Sequence, residues 1–506
     1  MTTDLNTERP TGPTGPSTPL AVANPARARA ADSVLQGLRL PTGPVTFDVH
    51  NPATGAVIAS LPDTGPGEAL DAVARADRAG RDWAATTPRQ RADVLRRWYD
   101  LLIEHADAIA LLVTLEMGKP LAESRAEVTY GSDFVRWYAE EAVRPGGNVR
   151  DVPTGGATLL TRRAPVGLSV LITPWNFPLA MATRKIAPAL AAGCPVVIKP
   201  AALTPLTTYY AVELAHQAGV PEDLVQVVCT TDAPAFSDAV LPDPRVRKVS
   251  FTGSTGVGKV LLRLAADNVL RSSMELGGNA PLIVFDDADL ERAVNGAYAA
   301  KMRNGGQSCI AANRIFVQDG IADAFVEGLA EKMGAAVIGD GFADDVALGP
   351  LIDDRAVASM QRLVDDAVTH GASVRTGGRA LESDGHFFQA TLLDHVPAGA
   401  QIAGTEIFGP VAAIQRFTTQ AEVVQRANAT EFGLAGYVFT ESLDRALNVA
   451  DALETGLVGI NQGVPSSAAA PFGGVKHSGL GREGSAEGLE EYQSIRFYNL
   501  ARRPTA

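Results

Sequence analysis

Three cysteines, Cys194, Cys229 and Cys309, are all that the 506 residues contain. An odd number at wide spacing offers no disulfide framework, so the expected setting is the reducing cytoplasm. Basic residues are also in the minority, 44 against 57 acidic, for a net charge of −13. Such a surface repels nucleic acid and anionic membranes, which leaves a small molecule as the expected partner. No apolar run approaches the roughly 18 residues of a membrane span, and the N-terminus lacks a basic segment followed by an apolar one, so neither insertion nor export is expected. The seven histidines are scattered, and no His/Cys group has ligand spacing, so no metal site is expected. Aromatic residues are sparse at 6%, yet a 46% hydrophobic content over this length is enough for two or three separately cored domains.

Residues 1–34 are expected to be a disordered tail, because the stretch TERPTGPTGPSTP and the ARARAA after it hold too few large apolar groups to offset the entropy of ordering. Two amphipathic helices follow, one in EALDAVARADRAGRDW and one capped by Thr87 with Pro88 at its first position. From residue 166 short β-branched runs alternate with helical stretches: GLSVLIT, a helix, PVVIKP, a helix begun by Thr204-Pro205, LVQVVCT, KVSFTG, a helix, and SSMELGG. That rhythm indicates an α/β fold with parallel sheets covered on both faces. A second series begins at PLIVFDDA, and Gly277-Gly278 marks the boundary between the two. Residues 148–165 and the run SIRFYNL near the C-terminus read as strands detached from either series, whose free edges could pair with another subunit.

Two glycine motifs invite misreading. Gly253-Ser-Thr-Gly-Val-Gly258-Lys259 resembles a phosphate-cradling P-loop, but Val260 replaces the hydroxyl residue that holds magnesium. A strand, a glycine turn and a helix N-terminus still present backbone N–H groups to a diphosphate, which favours a dinucleotide. Gly479-Leu-Gly481-Arg-Glu-Gly484 matches the dinucleotide fingerprint in letters only; no strand is predicted before it, so it is assigned to a loop.

Cys194 and Cys229 belong to apolar, strand-like runs and read as buried filler, whereas Cys309 lies among glycines and polar residues in Asn304-Gly-Gly-Gln-Ser-Cys309. A thiol of ordinary pKa needs only modest help from amide dipoles to attack a carbonyl near neutral pH. The resulting oxyanion needs donors, and Asn176, in Pro174-Trp175-Asn176-Phe177-Pro178, follows the end of a predicted strand, where parallel sheets bind ligands. Glu275, at another strand end, could deprotonate a water for hydrolysis.

Taken in order, PWNFP, KPxxLTP, FTGSTxxG, ELGGNAP, RNGGQSC, EIFGP and PFGGVKxSGLGREG make the chain similar to the aldehyde dehydrogenase superfamily from about residue 35 onward. The resemblance implies a parallel-sheet cofactor domain (35–147 and 166–276), an α/β catalytic domain (277–477) and a small β oligomerisation domain (148–165 and 478–506), assembled as a homodimer or homotetramer. It implies Cys309 as nucleophile, Asn176 with the Cys309 N–H as oxyanion hole, and Glu275 as general base. It places Lys199 on the adenosine ribose, Gly253, Ser254 and Gly258 near the pyrophosphate or the adjoining helix, Glu406 and Phe408 around the nicotinamide, and Trp175 in the pocket wall. Family members that prefer NAD have a glutamate where this chain has Ala202. Its loss removes both a 2′-hydroxyl acceptor and a charge that repels a 2′-phosphate, so NADP is expected to serve at least as well as NAD. Within the family the chain is most similar to succinate-semialdehyde dehydrogenases, which hold the substrate carboxylate at positions matching Arg184, Arg303 and Ser466. An arginine fork suits a carboxylate because its paired hydrogen bonds fix place and orientation. Glutarate semialdehyde and neutral aldehydes are the alternative substrates.

Overall fold

Runs of β-branched residues buried on both faces build two mainly parallel sheets. The computed structural model describes residues 20–144 and 146–502. In the first sheet the strands run in the spatial order Gly479–Leu480, Arg271–Glu275, Val246–Thr252, Leu168–Ile172, Val196–Lys199, Val225–Val227. All pairings are parallel except that of Gly479–Leu480 with Arg271–Glu275. The chain starts in the middle at Leu168–Ile172, moves outward one way, then returns and continues on the other side of its starting strand. A crevice therefore opens between the carboxyl ends of Leu168–Ile172 and Val246–Thr252, the place where open parallel sheets bind ligands.

The second sheet has seven strands in the order Ser373–Thr376, Thr391–Asp394, Val411–Phe417, Ala312–Gln318, Ala280–Val284, Ala435–Phe439, Leu457–Ile460. Only the first edge strand is antiparallel to its neighbour. Gly277-Gly278 lies between the last parallel strand of the first sheet and the first-formed strand of the second. A separate three-stranded antiparallel sheet joins Val149–Asp151, Ala157–Pro165 and Gln493–Ala501.

Two sequence-based expectations need correction, two helices were not anticipated, and the helix begun by Thr204-Pro205 is present with Pro205 as its cap. The helix Pro25–Gly37 occupies part of the segment expected to be disordered, because Asn24 caps it by accepting from the Ala26 N–H (3.0 Å) and Ala31 is fully buried against Leu115 and Phe342; residues 1–19 lie outside the described residues. Helices Ala106–Met117 and Leu121–Glu141 were not anticipated, the first being apolar nearly all round and so without a stripe to read. The helix expected to start from Thr204-Pro205 spans Leu206–Gln217, and its first N–H groups are satisfied from afar by the Glu116 carboxylate, at 2.7 Å from Leu206 N and 2.9 Å from Thr207 N. The second glycine motif is not wholly loop: Gly479–Leu480 forms an edge strand of the first sheet, away from the three-stranded sheet with which residues 478–506 were grouped.

Candidate active site

Asn176 follows the strand Leu168–Ile172 and heads directly into the buried helix Pro178–Ala192. Gly253 and Ser254 follow the strand Val246–Thr252, with Ser254 capping the helix Thr255–Asp267. Glu275 ends the neighbouring strand, and its carbonyl accepts from the Gly253 N–H at 3.0 Å. Cys309 precedes the strand Ala312–Gln318 of the second sheet. These segments meet in one cleft of about 210 Å³, lined also by Pro174, Trp175, Met181, Thr252, Leu276, Gly277, Glu406 and Phe408.

The approach to Cys309 is a tight left-handed turn. Asn304, Gly305 and Gly306 have φ of 57°, 60° and 74°. A side chain at Gly306 would put its Cβ 2.1 Å from the Gly409 carbonyl, so this position requires glycine. The Asn304 side chain closes the turn by donating to the Gln307 carbonyl (2.9 Å) and to the Asn176 carbonyl (3.0 Å), while Tyr437 donates to the Ile310 carbonyl at 2.7 Å. The Asn176 amide donates to the same Gln307 carbonyl at 3.0 Å, and its Oδ1 finds no partner. One amide N–H of Asn176 is thus engaged by the turn that leads into Cys309, which leaves the other free.

The far wall is aromatic: the Trp175 and Phe408 rings meet edge to face at 5.5 Å. Glu406 accepts from the Gly278 N–H at 3.2 Å, and buried Lys301 ties down the adjacent Ile407 carbonyl at 3.3 Å. Gly258 lies beneath the cleft, its Cα against the Leu276 side chain. Lys199 is buried at the end of its strand and Ala202 is half-buried in the following turn; neither lines the cleft.

The model of the Aldehyde dehydrogenase family matches residues 41–498. The chain belongs to that family. It is 50% identical over 455 residues to the mitochondrial succinate-semialdehyde dehydrogenase of Arabidopsis thaliana, covering 90% of this chain and 86% of that one. It is 48% identical over 452 residues to the glutarate-semialdehyde dehydrogenase of Pseudomonas putida, covering 89% and 94%. A solved E. coli structure described as an NADP dependent enzyme superposes with a TM-score of 0.89 at 47% identity, covering 90% of this chain and 95% of that one.

Electrostatics in this aldehyde dehydrogenase differ from the expectation for a readily ionised thiol. Burial pushes Cys309 up to about 12, against the pull of Arg184, and Glu406 and Glu275 add to the rise. Glu275 is raised well above the usual carboxylate range, first by burial and then by Glu483; both of its oxygens lack hydrogen-bond partners. Both shifts favour the protonated forms of Cys309 and Glu275. Burial also raises Glu406 to about 7. Cys194 and Cys229 are fully buried, and burial pushes them up to about 11 and about 12.

Arg184 is not on a solvated helix face. It is 1% exposed, pairs with the Glu483 carboxylate and lies 4.6 Å over the Phe472 ring, and its Nη2 finds no acceptor. Burial alone would lower its pKa, but Glu483 outweighs it and raises it. Arg303 is half-buried at the end of the helix Leu290–Met302, with its guanidinium 5.1 Å from the Phe177 ring and 5.5 Å from the Tyr130 ring. Ser466 is half-buried, and neither it nor the two arginines lines the cleft.

Sequence reasoning missed Glu483, which sits inside the glycine motif set aside as a loop and pairs with both Arg184 and Lys185. It also missed Lys119, Glu123 and Glu127, whose site partners lie 57, 181 and 52 residues away in the chain. The Asn-Gly pair at 304–305, a recognised left-handed turn signal, could have drawn attention to Asn304. Among the described residues, no helix is long and apolar enough to cross a membrane, and no group of three or more His, Cys, Asp or Glu could hold a metal.

Proposed function

We propose that this chain oxidises succinate semialdehyde, or a similar ω-oxo acid, to the dicarboxylate while reducing NADP or NAD. The observation that carries the reading is the meeting of Cys309, Asn176 and Glu275 in one cleft at the crossover point of a parallel sheet. The cleft suits a dinucleotide: Ser254 and the N-terminus of its 13-residue helix face it, and the space around Gly256 in the first turn is open. Ser254 and the first-turn N–H groups hold the pyrophosphate, with Gly253 in the turn before them and Gly258 letting the helix lie close to Leu276. Lys199 would serve the adenosine ribose, Glu406 and Phe408 the nicotinamide ribose and ring, and Trp175, packed edge to face on Phe408, would shape the pocket wall.

Cys309, its thiol proton passed to water, attacks the aldehyde carbon as the thiolate, and the free N–H of the Asn176 amide joins the Cys309 backbone N–H in stabilising the oxyanion. Held in the cleft, the nicotinamide would supply the hydride acceptor that oxidation of the thiohemiacetal to a thioester requires. Glu275, once ionised, takes a proton from the water that releases the acid. Arg184, with its unpartnered Nη2, and Arg303 hold the distal carboxylate together with Ser466. With Ala202 in place of a glutamate, we expect comparable kcat/KM for the two cofactors or a preference for NADP; a hundredfold preference for NAD would refute this part.

Residues 35–147 and 166–276 form the cofactor domain in this reading, and 277–477 the catalytic domain. The three-stranded sheet exposes Ile495 and Phe497 on one face and Val149 and Leu500 on the other, and its free edge strands suit pairing with a second copy in a homodimer or homotetramer, which light scattering would size. The unpaired cysteines suit a cytoplasmic setting. The similarity to a glutarate-semialdehyde dehydrogenase favours that aldehyde as the second substrate. A panel of aldehydes with and without a terminal carboxylate, run with each cofactor, tests the reading: we expect succinate semialdehyde to give the highest kcat/KM, and equal rates with butanal would sink it.

A further inference from the structure

Lys119 precedes the helix Leu121–Glu141 and its ammonium is sealed from solvent, with the side chain 2% exposed. It pairs with Glu127 Oε2 at 2.6 Å, lies 4.0 Å over the Phe177 ring, and donates to the Asn176 backbone carbonyl at 2.8 Å. The other Glu127 oxygen accepts from the N–H groups of Leu179 (2.9 Å) and Ala180 (3.2 Å), in the first turn of the helix that begins two residues after Asn176. About one turn before Glu127 on the helix Leu121–Glu141, Glu123 accepts from the Asn304 N–H at 2.7 Å, and Asn304 in turn donates to the Asn176 carbonyl.

Burying an ion pair is a poor way to stabilise a fold, since desolvation consumes most of the attraction. What this pair does achieve is to fix the backbone of Asn176 on both sides, at its own carbonyl and at the helix start that follows. The Asn176 side chain is otherwise held only through the Gln307 carbonyl, so the aim of its remaining N–H depends on where its backbone sits. Lys119 and Glu127 are not cleft-lining residues.

We infer that the buried Lys119–Glu127 pair is a positioning device for the oxyanion donor, setting the Asn176 amide toward the carbonyl attacked by Cys309. The inference rests on the reading of Asn176 as that donor. An oxyanion donor displaced by about an ångström can cost on the order of a hundredfold in rate, so the effect belongs on the acylation step.

The test compares three full-length variants: Lys119→Met/Glu127→Gln, Asn176→Ala and the triple combination. The double variant removes both charges together, keeps an amide oxygen for the Leu179 and Ala180 N–H groups, and so leaves no lone charge to unfold the protein. Burst rates of reduced-cofactor formation with succinate semialdehyde are read beside the cofactor Kd and the alkylation rate of Cys309. We expect the double variant to lose about tenfold to a hundredfold in burst rate with Kd and alkylation within about twofold of the parent, and the triple variant to be no slower than Asn176→Ala alone. A purely structural role would instead shift Kd and alkylation along with the burst, or make the losses multiply in the triple variant; either result overturns the inference. If Asn176→Ala is impaired but the double variant bursts normally, positioning falls and the donor stands. If Asn176→Ala bursts normally, the donor reading falls and the positioning role with it.

Discussion

Two walls meet at Asn176 and treat the buried groups nearest to it in different ways. On the side of the helix Leu121–Glu141, the buried charges are matched: Lys119 has Glu127 and a carbonyl, and Glu127 has Lys119 and two N–H groups. On the cleft side Asn176 Oδ1, both Glu275 oxygens and Arg184 Nη2 have no hydrogen-bond partner. A buried polar group without a partner costs about 1–3 kcal/mol, so each of these cleft-side groups weighs against stability. The contrast teaches that the first wall spends its bonding capacity on rigidity, while the second holds its capacity for groups that are not part of the chain.

If that contrast is real, substitutions on the two walls should separate activity from stability. Glu275→Gln should lower steady-state turnover by about 10²–10⁴ while leaving a first burst of reduced cofactor and a melting temperature close to the parent's; loss of the burst would remove Glu275 from the hydrolytic step. Lys119→Met alone, by stranding the Glu127 charge, should destabilise the fold by about 3–5 kcal/mol, read as a lower denaturation midpoint. An unchanged midpoint would mean that the braced wall is not braced by this pair.

Asn176→Ala should cost about 10²–10³ in the burst rate with little change in cofactor binding. The pH dependence sharpens the same picture. Burial raises the Cys309 pKa to about 12, and the reactive form is the thiolate, so its fraction grows as pH rises toward that value. Alkylation of Cys309 in the cofactor-free enzyme should therefore quicken about tenfold per unit between about pH 6 and pH 9, and a plateau near pH 7 would show that the thiol is not desolvated as described. The smallest effect is expected at the carboxylate end: Arg303→Ala should raise KM for succinate semialdehyde about tenfold, near 1.4 kcal/mol, and spare butanal.

The same contrast bounds what could be read from the chain. The alternation from residue 166 was legible because each strand carries its own β-branched run and each helix its own period, as in Leu168–Ile172 followed by Pro178–Ala192. Asn176, Glu275 and Cys309 were legible as candidates because each sits in a short polar or glycine-rich interruption of an apolar pattern. The bracing wall was not. Helix Ala106–Met117 has no stripe, and Lys119, Glu123 and Glu127 look like ordinary surface charges until the fold brings Asn176 and Asn304 against them. The Arg184–Glu483 pair was hidden the same way, one partner in a helix and the other in a glycine-rich stretch near the far end of the chain. Local physics is written locally, whereas the matching of buried charges depends on contacts that only the closed fold creates.

The central claim is that Cys309 carries the acyl group that the cleft wall is built to receive and release. Glu275→Gln, mixed with succinate semialdehyde and NADP, quenched in acid within the burst and digested for mass spectrometry, tests it most directly. The account predicts one succinyl group on the Cys309 peptide in an amount equal to the burst of reduced cofactor. A burst with no adduct, or an adduct on Cys194 or Cys229 instead, would contradict it.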